Sequence, residues 1–557
     1  MCGVGVVTRT LPFRVAWRHS YKSLLPPLNS AYVCGRLHTY CRCDTELGDN
    51  TRSSRRCSSG VPIVLESPSD STGLFTLTVS TTDGAASALR EVMRFARPLT
   101  LVARDTALAR LSTVLEGNEG LLASSEALAT GMCLQDARQS MKECISFVAA
   151  CRNLLSSRGP CNGEDVSGGK NSILSLLESL GCCMHSWVPG GGGSGRSGVH
   201  GNNFVTLCYT GANYPLQRGV EAICAALVRG SSAVWFPSLE NPLSALWLMH
   251  LLYSTNRGSG SGYGDNATKT DGSAYSKEPI HIVLYRSEHG RFLTDSFCEK
   301  SLCNGSEIVG VSNGLTGYEK SCLFPFLRNT HGVADAPRFC SWSHRVCKPA
   351  VAIVSGDVVA DTVPLGPLDR ANVIKTKRLA ERIFHDAFKC NGRTLSPLHA
   401  AFVPHDVVLQ VLRDLSDCIR SMRLGHSLDP TSGHGPLPSS AHLLAVKETI
   451  EKAVSISDGG FSFQQVCGGF EVVMPAGFFV LPCVLYGSLA RTESASESPY
   501  ALLTMCKRVQ CVREELDRVG GGPVVVVCGY DARHYGQHLA MLEEHLCVAG
   551  HYVVHRW

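Results

Sequence analysis

The chain has 557 residues, 44% of them hydrophobic and 18% charged, and its 52 basic and 48 acidic side chains leave a formal charge of +4. A chain this long can bury a sizeable core, and this balance excludes a disordered tail protein and gives no general case for a nucleic-acid or membrane-surface partner. The 26 cysteines follow no regular spacing, which excludes a small disulfide scaffold and favours reduced thiols.

At the amino terminus no acidic residue precedes Asp44, while Arg9, Arg14, Arg18, Lys22, Arg36 and Arg42 are basic. That composition fits a mitochondrial transit peptide. A disordered basic arm on a cytoplasmic protein fits as well, because Pro12, Pro26 and Pro27 interrupt any helix. Cys34, Cys41, Cys43 and Cys57 with His38 match no zinc-ligand spacing, so no metal is expected. Residues 1–75 therefore read as a poorly structured leader. From Ala85 to Leu154 apolar residues recur at helical spacing, as in Leu108, Leu111, Val114 and Leu115, and predict a helical layer. Low-complexity stretches at 156–171, 189–203 and 254–278 read as surface insertions.

Between and after these insertions the pattern alternates: strand 204–209, helix 216–228, strand 232–236, helix 242–253, then strands 280–285 and 308–311. Alternation of this kind predicts parallel strands with right-handed crossovers, a Rossmann-like half spanning 76–343. No G-x-G-x-x-G follows its first strand. A second α/β unit, 344–557, starts with strand 351–354 and helix 371–388. It continues through strand 400–403, helices 406–422 and 441–454, and further elements to Val554. The apolar run 472–490 contains Pro475, Gly477, Pro482 and Gly487, which suits a pair of buried strands better than a membrane span. His534 and His538 stand four apart on a predicted helix, 532–546, but without a third ligand they read as a solvated face.

Four segments, in one order, resemble the aldehyde dehydrogenase superfamily, and the resemblance covers roughly 85–557. They are Gly211-Ala212-Asn213-Tyr214-Pro215-Leu216, Pro237-Ser238 with Pro242-Leu243, Gly425-His426-Ser427-Leu428-Asp429-Pro430 with Gly435-Pro436-Leu437, and the run from Gly477 to Leu485. The resemblance implies a parallel-sheet cofactor domain, a catalytic α/β domain and an oligomerisation strand. It also implies NAD or NADP as cofactor, a small aldehyde as substrate, a cysteine nucleophile, a glutamate base and an asparagine that holds the oxyanion.

Carried over residue by residue, that chemistry is eroded. Asn213 keeps the oxyanion position, although an asparagine fixing the Tyr214-Pro215 turn is an equal reading. The nucleophile position falls on Thr394, whose hydroxyl is far less acidic than a thiol, and the nearest cysteine is Cys390. The base position holds Arg345, which stays protonated and cannot accept a proton from water. The ribose-binding lysine and glutamate correspond to Phe236 and Leu239, while Ser238 persists and Glu240 lies one position away. Gly317 matches the last glycine of the family's F-T-G-S-x-x-[VT]-G turn, whose first glycine is Ser312 here, and Glu497 matches its nicotinamide-ribose glutamate. The family's later P-F-G-G segment and terminal strand have no counterpart, so the resemblance implies a carboxy-terminally shortened version. The expectation is an aldehyde dehydrogenase-like protein that has lost the reaction, binds NAD or NADP or no cofactor, and serves as a binding or scaffold module for other subunits. A divergent NAD(P)-dependent aldehyde or semialdehyde oxidoreductase is the alternative.

Overall fold

The computed structural model describes residues 24–25, 30–33, 36–39, 61–79, 85, 92, 96, 98–156, 205–258, 279–284, 309–313, 342–345, 350–355, 370–394, 397–458, 461–470, 476–489, 499–531, 535–542 and 553–557. Two antiparallel ribbons come first, β1 (Ser30–Val33) with β2 (Arg36–Thr39), and β3 (Val61–Glu66) with β4 (Gly73–Val79). The second ribbon corrects the reading of 1–75 as unstructured. Its register sets Ile63 against Leu77 and Leu65 against Phe75, and Leu77 and Val79 are fully buried. Asp70 closes its turn, accepting from the Thr72 amide and hydroxyl at 3.2 and 2.8 Å. Alternation over so short a stretch, next to a basic low-complexity arm, is easily taken for more of the arm.

Three helices follow: α1 (Leu101–Gly117), α2 (Glu119–Thr130) and α3 (Leu134–Ser156). Thr100 caps the first by accepting from the Ala103 amide, and left-handed Gly131 ends the second, its N–H on the Ala127 carbonyl. Next come β5 (Val205–Thr210), α4 (Pro215–Arg229), β6 (Ser232–Phe236), α5 (Leu243–Gly258), β7 (Ile280–Ile282), β8 (Val309–Asn313) and β9 (Trp342–Arg345). The strands form an all-parallel sheet in the order β7-β6-β5-β8-β9. The chain runs outward from β5 to one edge, then restarts beside β5 and runs to the other. The gap above β5 and β8 is therefore the topological switch point, where sheets of this kind bind ligands. Every residue of β5 and β6 is buried, as a sheet covered on both faces requires. Leu108, Leu111, Leu128, Val220 and Trp235 share the core beneath the helical layer. This is the first lobe.

The second lobe comprises β10 (Ala350–Ile353), α6 (Arg370–Phe388), β11 (Leu398–Pro404), α7 (His405–Ser421), α8 (Ser440–Ser455), β12 (Ser457–Asp458), β13 (Phe461–Gly469), β14 (Leu481–Leu489), α9 (Pro499–Val519), β15 (Val524–Tyr530), α10 (Tyr535–Leu542) and β16 (Val553–Arg556). Its sheet runs β12-β13-β14-β15-β11-β10-β16, parallel from β14 to β16 and antiparallel at β12 and β13. Side chains alternate between two cores. Val351 and Ile353 join Phe402, Leu485 and Val526 on one face, and Ala350 and Ala352 join Val403, Val484 and Val525 on the other. Among the described residues of 472–490 there is one strand, β14, not two; its antiparallel partner is β13, whose sequence FSFQQVCGG carries too few apolar residues to announce a strand. No helix among the described residues is long and apolar enough to cross a membrane.

Candidate functional site

The carboxyl ends of the first sheet face the turn that joins α6 to β11. That turn is built by three consecutive left-handed residues, Cys390 (φ 51°), Asn391 (φ 60°) and Gly392 (φ 68°). With the Arg393 amide donating to the Cys390 carbonyl at 3.2 Å, Asn391-Gly392 forms the centre of a type I′ turn, the geometry this dipeptide favours. At Gly392 a Cβ would overlap the Gly522 carbonyl, so only glycine fits. Asn391 fixes the turn from the side by donating to the Pro436 carbonyl at 2.6 Å.

The turn aims Arg393 across the cleft. Its Nε donates to Asn213 Oδ1 at 2.8 Å, one terminal nitrogen to the Thr130 carbonyl at 2.8 Å, and the other to the Ala212 carbonyl at 3.5 Å. Only 3% of Arg393 is exposed. Burial pulls its guanidinium down to about 10, offset by Glu240, so it remains a cation at neutral pH. Asn213 in turn donates through Nδ2 to the Gly520 carbonyl. Neither the Tyr214-Pro215 turn nor an open pocket claims its side chain. His442 points its Nε2 at the Gly521 carbonyl, 2.6 Å away, and burial lowers its imidazole to about 3.

Cys390 also enters the first-lobe core. The Tyr214 phenol lies against its Sγ, its amide donates to Asp136 Oδ2 at 3.3 Å, and burial followed by the Asp136 charge pushes the thiol well above its ordinary range. A thiol activated for attack needs its thiolate stabilised; here burial and the Asp136 charge outweigh the Tyr214 phenol and the Lys389 charge, which favour it. Thr394 closes the turn partly exposed. The backbone of Arg345 ends β9 in register with Asn313, which pairs with Thr210, so the base position lies at the same edge of the sheet.

Two acids complete the site. Glu126, on α2, is 1% exposed and accepts the Leu216 amide at the start of α4 at 3.2 Å; its second oxygen has no hydrogen-bond partner. Burial drives its carboxyl up to about 7, against the Ser244 hydroxyl, the Leu216 amide and Arg393, which lower it. Burial likewise raises Glu240, and Arg393 opposes the shift. Of these groups the sequence singled out Asn213, Cys390, Thr394, Arg345 and, as a shifted ribose ligand, Glu240. It missed Arg393, Glu126 and His442. Arg393 stood inside the inspected motif, and its signal was the one charge between Cys390 and Pro397.

A dinucleotide at this edge needs N–H donors for its phosphates and acceptors that reach its ribose hydroxyls. Here the Leu216 amide is given to the Glu126 carboxyl. Phe236 is buried and stacked on Tyr209, ring centroids 4.8 Å apart, and the Ser238 hydroxyl accepts from the Glu240 amide at 3.4 Å. The described residues of this edge do not fit the cofactor. Gly317 and Glu497 lie outside the described residues, as do His534 and most of the amino-terminal cysteine group; no metal-ligating cluster occurs among the described residues.

Comparison with known proteins agrees with this architecture. Residues 368–517 match the aldehyde dehydrogenase family. Over 428 residues the chain is 21% identical to "Succinate-semialdehyde dehydrogenase [NADP(+)] 2" of Schizosaccharomyces pombe, covering 77% of this chain and 71% of that one. Among solved structures it is similar to the Delta-pyrroline-5-carboxylate dehydrogenase of Mycobacterium tuberculosis, with TM-score 0.61, 17% identity, and coverage of 98% and 81%. It is also similar to a betaine aldehyde dehydrogenase of Staphylococcus aureus in complex with NAD+, with TM-score 0.60, 15% identity, and coverage of 95% and 83%. At these identities the structural likeness shows the fold.

Proposed function

We propose that this chain, aldehyde dehydrogenase-like in sequence and fold, acts as a non-catalytic binding or scaffold module for other protein subunits. One observation carries the reading: the polarity of the pocket is the reverse of what the reaction needs. An oxyanion requires converging donors. Here the carbonyls of Thr130, Ala212, Gly520 and Gly521 and the Asn213 oxygen converge, and they are already matched by Arg393, Asn213 Nδ2 and His442. The protonated Cys390 thiol and the arginine at the base position support the same reading. A mitochondrial destination belongs to it, supported by the acid-free basic amino terminus; a reporter fused to residues 1–75 that stays in the cytoplasm would count against that part.

The test is a calorimetric and thermal-shift titration of the full chain with NAD and with NADP at millimolar concentration. No stabilisation is expected. A bound cofactor at about 100 times its Kd would add about 2.7 kcal/mol. A shift of that order, followed by aldehyde-dependent reduction of the cofactor that Cys390→Ala abolishes, would install the divergent oxidoreductase instead.

A further inference from the structure

We infer that Arg393 is a tethered latch that makes the two lobes open and unfold as one unit. Its backbone belongs to the second lobe: the turn is pinned by the Cys390 carbonyl, by Asn391 on Pro436 and by the close approach of Gly392 to Gly522. Its side chain ends entirely in the first lobe, on Thr130 at the carboxyl end of α2 and on Ala212 and Asn213 after β5. Asn213 then crosses back to Gly520, in the turn before β15. The hydrogen bonds thus form a closed circuit that spans the cleft twice.

Charge reinforces the circuit. The cation comes from the second lobe, and the two carboxylates that interact with it, Glu126 and Glu240, come from the first. The Thr130 carbonyl is one of the acceptors a helix leaves open at its end, so withdrawing the guanidinium strands it in a buried site where water cannot easily replace the lost bond. Other contacts cross the cleft, such as the Leu134 amide on the Ser427 carbonyl and Gln135 Nε2 on the Pro430 carbonyl. Those two are single neutral bonds; the Cys390 amide on the Asp136 carboxylate crosses as well, but it leaves from the same turn as the arginine. Emptied of the arginine side chain, the cage of the Thr130 and Ala212 carbonyls and the Asn213 oxygen, with Glu126 and Glu240 near enough to act on it electrostatically, has the shape and charge for a free planar cation, guanidinium itself.

The experiment compares the full chain with Arg393→Ala, Arg393→Lys and Gln135→Ala by scanning calorimetry. The wild type and Gln135→Ala are expected to unfold in one transition, and Arg393→Ala in two. Millimolar guanidinium chloride, far below denaturing levels, is expected to restore the single transition, while equal sodium chloride or urea does not. Arg393→Lys, which keeps the charge but not the fork, is expected to fall between. A single transition in Arg393→Ala, merely lowered and indifferent to guanidinium, overturns the latch. Should Arg393→Ala fail to fold, amide exchange in the wild type decides. The Leu134 and Leu216 amides of the first lobe and the Arg393 and Gly521 amides of the second should exchange with one common opening free energy, equal to that of the lobe cores. Exchange of these four far faster than the cores means that the lobes separate without unfolding, and the latch fails.

Discussion

At the scale of single residues, Glu126 illustrates what burial against an incomplete partner set does. Its ordinary carboxyl value of 4.5 rises to about 7, so the folded chain holds this proton more tightly than the unfolded chain. Stability from this group is fully present below 4.5 and falls as pH rises toward 7, because ionisation then puts a charge where one oxygen has no partner. The shift corresponds to about 3 kcal/mol at most. Glu126→Gln keeps an acceptor for the Leu216 amide without the charge, and should be more stable than wild type by about 1–3 kcal/mol at pH 8 and nearly equal at pH 4. Denaturant unfolding at both values reads this; an equal gap at both would rule it out. Cys390 gives a second prediction at this scale. In the native chain it should resist iodoacetamide while exposed Cys511 reacts, and peptide mapping that finds Cys390 alkylated before unfolding would contradict the site as drawn. The positions of Asn213, Cys390 and Thr394 were legible from the motif alone. What the Asn213 and Cys390 side chains touch was not, because their partners, Arg393 and Gly520 for the one and Tyr214 and Asp136 for the other, stand more than a hundred residues away.

At the scale of elements, apolar pattern and length were enough to place α4, β6, α6 and α7 within a residue or two: α7 buries one regular face, and β6 is a short run buried throughout. Elements with weak apolar content escaped. β13 is held by its antiparallel partner β14 and β9 by its neighbour β8, rather than by a hydrophobic signature of their own. The β3–β4 ribbon escaped because its context was basic and low in complexity, yet it is part of the core. Ser69 and Ser427 share a hydrogen bond at 3.2 Å, and the Phe478 amide donates to the Pro68 carbonyl at 2.9 Å. Leu77, fully buried in the first-lobe core, tests this. Leu77→Ala should cost about 2–4 kcal/mol in denaturant unfolding, whereas a loss within experimental error would return the ribbon to the leader.

At the scale of the molecule, the alternation of strand and helix announced a parallel sheet and a second α/β unit, but strand order and the facing of the two lobes depend on contacts that no local pattern carries. Those contacts bury histidines on both sides. His281 in the first lobe and His399 and His434 in the second are each lowered to about 4 by burial, and His442 to about 3. Each folded value lies below the ordinary 6.5, so the unfolded chain binds these protons first. Stability is present above 6.5 and lost as pH falls toward 4. Each group contributes up to about 3 kcal/mol in that window, which exceeds what neutral Glu126 returns. The chain is therefore expected to unfold on mild acidification between pH 6 and 4, followed by far-UV circular dichroism. Retention of full structure at pH 4 would mean that these imidazoles have other partners.

The turn at Asn391-Gly392 carries a consequence for the ageing of the chain. An asparagine followed by glycine ordinarily loses ammonia when the glycine nitrogen attacks the side-chain carbonyl and closes a succinimide ring. Here Asn391 is 2% exposed, its amide is tied to the Pro436 carbonyl and its backbone is held left-handed. Cyclisation would require those restraints to be released. Deamidation at this one position therefore accumulates only while the turn is open, and stored samples keep in their peptide masses a record of how long each molecule has spent with its cleft undone.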